Sequence, residues 1–220
     1  MLGHVAQSVG GALPGGIGNL DAIVRSLSQT GDIIWTLPRD GALEIWAWGR
    51  GGAGQLSSNL SLQRGGAGGG AFYKRVMVAG GGAVRYAIAS DGTLTVTLPD
   101  GSQCVANPGG LQSDQRLGGT ATGGDINRTG GNGGTSTLSA TAGVSGGAAG
   151  SGGIPGGGAG GFSDMPAAPF IGGKGVDGSN GQQSNPAPLA SFPGGGGAGG
   201  NGSNVSINIG GEACVVLVLQ

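Results

Sequence analysis

Histidine, cysteine and charge are all scarce in this chain of 220 residues, and each shortage removes a class of function. His4 is the single histidine, so histidine-based catalytic triads and multi-histidine metal centres are excluded. Cys104 and Cys214 are the only cysteines, too few for a disulfide framework, and they read as buried free thiols; a bridge between them would need an oxidising compartment. Charged residues make up only 10% of the chain and the formal net charge is −1, without the basic footprint of a nucleic-acid binder. The longest apolar run, from Ala213 to Leu219, is far short of the roughly 20 residues that span a bilayer. The first residues, from Met1 to Ala6, have neither the basic nor the apolar region of a secretory signal.

Glycine dominates what is present. There are 57 glycines, against a usual frequency of about 7%. Glycine loses the most backbone entropy on folding and buries no side chain. A chain so rich in it defaults to linker or disorder. Low charge and a hydrophobic fraction of 37% argue instead for a compact, unusual architecture.

Residues 1–31 read as an N-terminal connector. Within it, Asn19 as a cap and Leu20, Ile23, Val24 and Leu27 on one face predict a short helix. It is too short to be stable alone. From Asp32 the pattern turns to β. Ile33–Leu37 and Leu43–Trp48 are strands around a turn at residues 38–41. Alternation sets Leu43, Ile45 and Ala47 on one face and Glu44, Trp46 and Trp48 on the other. Strands follow at residues 71–78 and 84–89. A hairpin then joins residues 93–98 to residues 103–106 through Pro99-Asp100-Gly101-Ser102. Two more strands, at residues 205–209 and 213–219, complete a small antiparallel, sandwich-like β framework spanning residues 32–106 and 205–220. One of the two faces of Leu43–Trp48 needs a cover, which suggests a neighbouring subunit.

Residues 107–204 are the glycine-rich insert. Glycines recur every third residue at 147–156, at 172–181 and at 194–200. Three residues per turn is the period of polyproline II, whose helices bond to one another only where glycine lets backbones meet closely. The fold class is thus mainly β with irregular structure, plus a bundle of polyproline-II or polyglycine-II helices. Between the runs lie residues 162–171 and 182–193, which hold three of the four phenylalanines. Phe162, Met165, Phe170 and Phe192 are the candidate receptor-binding anchors, on loops stiffened by Pro166, Pro169, Pro186, Pro188 and Pro193. The competing reading makes them a plug for the bundle end.

Other motifs imitate chemistry. Gly49-Arg50-Gly51-Gly52-Ala53-Gly54 is a literal dinucleotide-binding fingerprint, but no βαβ unit follows it. Gly172-Gly173-Lys174-Gly175 lacks the spacing of a P-loop. Asp125, Asp164 and Asp177 read as solvated loop carboxylates. Catalytic, cofactor and metal sites are therefore expected to be absent.

The strand ending Trp46-Ala47-Trp48-Gly49-Arg50-Gly51-Gly52-Ala53-Gly54, the aromatic-basic strand Gly68-Gly69-Gly70-Ala71-Phe72-Tyr73-Lys74 and the closing strand Glu212-Ala213-Cys214-Val215-Val216-Leu217-Val218 together resemble the glycine-rich domain common in phage tail proteins. The long glycine region is similar to the tip adhesins of T-even-like long tail fibres, in which a polyglycine-helix sandwich presents receptor-binding loops. The likeness spans residues 33–219. It departs at Arg50, which interrupts the usual Trp-Gly-Ala-Gly pattern, and in the N-terminal connector. The resemblance implies a non-enzymatic virion protein of the tail, assembled in the host cytoplasm. Its implied partners are other tail or fibre proteins and a host-surface receptor, protein or glycan. A homo-oligomer, a trimer above all, is expected from the fibre. The alternatives are a purely structural spacer or decoration protein and an antifreeze-like glycine-helix bundle.

Overall fold

Apolar and polar residues alternate along most of the framework, and that period of two resolves into a pair of sheets packed face to face. The computed structural model describes residues 21–27, 31–53, 56–57, 63–64, 66–110, 117–133, 135–136, 165–166, 200–201 and 210–220. The first strands are β1 (Asp21–Leu27), β2 (Gly31–Thr36), β3 (Gly41–Trp48), β4 (Leu56–Ser57), β5 (Gln63–Arg64), β6 (Ala71–Val78) and β7 (Ala83–Ile88). Next come β8 (Leu94–Thr97), β9 (Gln103–Ala106), β10 (Ala121–Thr122), β11 (Ile126–Arg128), β12 (Thr135–Ser136), β13 (Gly200–Asn201) and β14 (Ala213–Leu219). Among the described residues there is no helix.

The first sheet has the order β1-β14-β3-β6-β11 and the second β10-β9-β8-β7-β2, with every neighbouring pair antiparallel. Their facing sides share one core. Leu43, Ile45, Phe72, Val215, Leu217 and Leu219 of the first sheet meet Val84, Tyr86, Leu94, Val96 and Cys104 of the second. Each fully buried side chain of this size stabilises the fold by about 1.5–3 kcal/mol.

Asp21–Leu27 corrects the helix expected there: it is an extended strand along the whole of β14, from Asp21 opposite Leu219 to Leu27 opposite Ala213. The reason is non-local. All seven residues of β14 are buried, and a strand in the middle of a sheet needs hydrogen-bonding neighbours on both sides. With β3 on one flank, β1 supplies the other. A segment as short as β1 gains more from that ladder than from a marginal helix.

The hairpin of β8 and β9 has the expected turn. Asp100 accepts the Ser102 amide at 2.9 Å, and Gly101 takes a positive φ of 84°. Residues 147–156 and 172–181 and the strand expected at 205–209 lie outside the described residues. Of the run at 194–200 only Gly200 is described, in β13, parallel to Leu56 in β4.

Candidate functional site

Six glycine-rich segments meet at one end of the sandwich: residues 49–53 after β3, 66–70 before β6, 107–110 after β9, 117–120 before β10, 129–133 after β11, and 210–212 before β14. They bond to each other through the backbone. Gly49 donates to the Gly70 carbonyl and Gly52 to that of Ala67, each at 2.8 Å, so both donors and acceptors are three residues apart. Asn107 to Thr120, at 2.8 Å, and Gly110 to Leu117, at 3.0 Å, repeat the spacing. Segment 66–70 bonds to 49–53, 107–110, 117–120 and 129–133, whereas a strand in a sheet has at most two neighbours. Such crowding requires glycine. A Cβ on Gly52 would strike the Gly110 carbonyl oxygen, and one on Gly109 that of Ala67.

This lattice disposes of the dinucleotide fingerprint. A phosphate-binding loop aims its N–H groups at the ligand. Here those of Gly49, Arg50, Gly51 and Gly52 donate to Gly70, Gly92, Gly211 and Ala67.

The outward face of the first sheet is as closed as its inner one. Trp46, Trp48, Ala71, Tyr73, Cys214, Val216 and Val218 form a second cluster there, and Met165 is buried within it. The Trp46 and Tyr73 rings lie 5.2 Å apart at 49°. The Trp46 indole Nε1–H donates to the Pro166 carbonyl at 2.9 Å. The Tyr73 hydroxyl donates to Glu44 Oε1 at 2.8 Å, and Gln220 Nε2 donates to Glu44 Oε2 at 2.7 Å. Burial first, then the bond to the Glu44 carboxylate, pushes the Tyr73 phenol up to about 12.

Of the four candidate anchors, Met165 alone lies among the described residues; it is only 6% exposed and packs in the outer cluster with Trp46, Trp48 and Tyr73. The physical reason is the Trp46–Trp48 face, which needs an apolar cover and takes it from this segment. Phe162, Phe170 and Phe192 lie outside the described residues, as do Asp164 and Asp177. The Met165–Pro166 contact carries no local sequence signal. Its trace is the uncovered tryptophan face.

No family model matches this sequence, and no curated protein matches it either.

Asp125 takes the Lys74 ammonium at 2.7 Å and the Arg75 amide at 2.8 Å. Burial works to raise its carboxyl, but those two donors outweigh it and hold it below the ordinary range. Cys104 and Cys214 are buried and free, the first in the inner core and the second in the outer cluster. Burial pushes the Cys214 thiol up to about 12 and raises that of Cys104 as well. Among the described residues no group of three or more His, Cys, Asp or Glu is placed to hold a metal ion.

Proposed function

We propose that this chain is a non-enzymatic structural protein of a phage tail fibre or tail tip that acts as a host-receptor adhesin. The observation that carries the reading is the glycine lattice, whose backbone bonds recur at the three-residue spacing of polyglycine II and which grows directly out of a β-sandwich. In this reading the runs at 147–156, 172–181 and 194–200 extend the lattice into a bundle, and residues 107–204 form its bulk. The β12–β5 and β13–β4 pairs lie along the same course and support that extension.

Polarity supports it further. Asp21 pairs with Leu219, and Gln220 exchanges backbone bonds with Ala42, at the end of the sandwich opposite the lattice. The start of β1 and the end of β14 thus share one end of the sandwich, opposite the glycine lattice, which suits attachment to fibre or tail proteins at that end. Glycine backbone offers little side-chain area, so affinity falls to residues 162–171 and 182–193, with Phe162, Phe170 and Phe192 as anchors. Met165 then fixes the first of these loops to the sandwich. Several copies on one particle would multiply a weak single-site affinity for a host protein or glycan. The reading needs no cofactor, metal or nucleic acid.

The burial of Met165 favours a second reading, a purely structural spacer or decoration protein whose inter-run loops serve packing alone. Phe162→Ala and Phe170→Ala separate the two. The adhesin loses host adsorption while the melting temperature of the protein holds. The spacer melts earlier and adsorbs as before.

A further inference from the structure

The two lateral edges of the sandwich differ in kind. On one, β10 and β11 are two and three residues long, too short to template another strand. On the other, β1 and β2 are seven and six residues long, and no described strand pairs with the outer side of either. Edge strands that must stay single are short, carry charge (lysine above all), proline or a bulge, or are covered. β2, Gly-Asp-Ile-Ile-Trp-Thr, has one charge, Asp32, but neither lysine nor proline, and it pairs without interruption with β7 from Gly31 to Thr36. Ile33 and Trp35 point inward and pack only partly buried against the core. Ile34 points outward and is 54% exposed, a large aliphatic side chain left in water at a strand edge.

We propose that β2 is a contact between two copies of this chain, paired antiparallel about a two-fold axis through Ile34. Residues directly opposite in an antiparallel pair lie on the same face, so a strand pairing with itself must centre on a residue and not between two. Centred on Ile34, Ile33 of each copy stands opposite Trp35 of the other. The inward row then continues across the seam and covers two side chains that one copy leaves half-buried. On the outer face Ile34 meets Ile34, and the carboxylate of Asp32 stands opposite the hydroxyl of Thr36 instead of a second Asp32. Centring on Ile33 would set Asp32 against Ile34 and Trp35 against Gly31, which pairs a charge with an aliphatic group and leaves the indole without a neighbour. Centred on Ile34, the edge is thus self-complementary from Asp32 to Thr36. A two-fold contact also departs from the trimer implied by the fibre resemblance. It stands or falls independently of any receptor.

The full-length protein tests it. Light scattering behind size exclusion is expected to give twice the chain mass, falling to the single-chain mass in Ile34→Lys, which sets two ammonium groups face to face on the axis. The melting curve of that variant checks that the sandwich itself is intact. Directly opposite residues have Cα atoms about 4.5–5.5 Å apart, within the range of roughly 4.4–6.8 Å that a disulfide spans. Ile34→Cys is therefore expected to form a covalent dimer under mild oxidation. It should do so at least about tenfold faster than Met77→Cys, because the seam holds the second thiol at high effective concentration. Met77 is 75% exposed and lies away from β2, and the native thiols are buried. A monomer at every concentration, any other stoichiometry, a dimer untouched by Ile34→Lys, or equal cross-linking at Met77 would each overturn the proposal. So would capture of a strand from a different protein at this edge in place of a second copy.

Discussion

Trp46 and Pro166 lie 120 positions apart in the chain and share a hydrogen bond of 2.9 Å from indole to carbonyl. The bond ties the glycine-rich insert to the centre of the first sheet. Trp46→Phe removes the donor and leaves the Pro166 carbonyl without it, an expected loss of about 1–3 kcal/mol. Met165→Ala opens a cavity in the same cluster and should cost about 2–5 kcal/mol. Urea unfolding curves measure both, and a Met165→Ala midpoint equal to that of the parent would return this residue to the exposed loop.

Two glycines with opposite reasons for being glycine give a second test. Gly52 faces the Gly110 carbonyl with no room for a methyl group, so Gly52→Ala is expected to cost about 3 kcal/mol or more. Gly101 has open space around it but a φ of 84°, so Gly101→Ala carries only the left-handed penalty of about 1–2 kcal/mol. Thermal melts of the two variants should rank them in that order.

The Tyr73 phenol titrates near 12, above its ordinary value of about 10, because burial and the Glu44 carboxylate both disfavour the phenolate. A raised folded-state value means that the native protein holds its proton more tightly than the unfolded chain. This contribution to stability is therefore complete below about pH 10 and is lost as the pH climbs toward 12. Glu44→Gln removes the charge and leaves the burial, so the tyrosinate absorbance of Tyr73 should appear at lower pH, though still above the ordinary value.

The buried thiols give a fourth expectation. Neither Cys104 nor Cys214 should react with an aromatic disulfide reagent in the native protein, and both should react once it is unfolded. Burial leaves Cys214, pushed up to about 12, with almost no thiolate at neutral pH. Fast labelling of the folded chain would show that one of the two clusters opens readily.

Where a pattern was local, the sequence carried it. The alternation of Leu43, Ile45 and Ala47 against Trp46 and Trp48 places these residues in the inner and outer clusters respectively. Pro99-Asp100-Gly101-Ser102 fixes its hairpin through turn chemistry alone. The failures were non-local. Leu20, Ile23, Val24 and Leu27 have helical spacing, but the choice for Asp21–Leu27 belongs to β14, nearly two hundred residues later. Met165 reads as an exposed loop residue until the tryptophan face has a position in space. The glycine segments look alike in composition, so nothing local states that 66–70 bonds to 129–133 and 210–212 to 49–53.

The position of β14 between β1 and β3 sets a timetable for the ribosome. β1 is made before any other described strand and β14 after all of them, yet β14 is the only described strand that β1 pairs with. β1 must therefore wait unpaired while the whole glycine-rich insert is translated, and β3 waits with one edge open. A message broken anywhere before the codon for Ala213 yields a chain with two unpaired edges facing an empty slot, open to chaperones and proteases. Insertion of β14 between β1 and β3 is therefore the step that closes the first sheet, and it comes after every other described strand has been made.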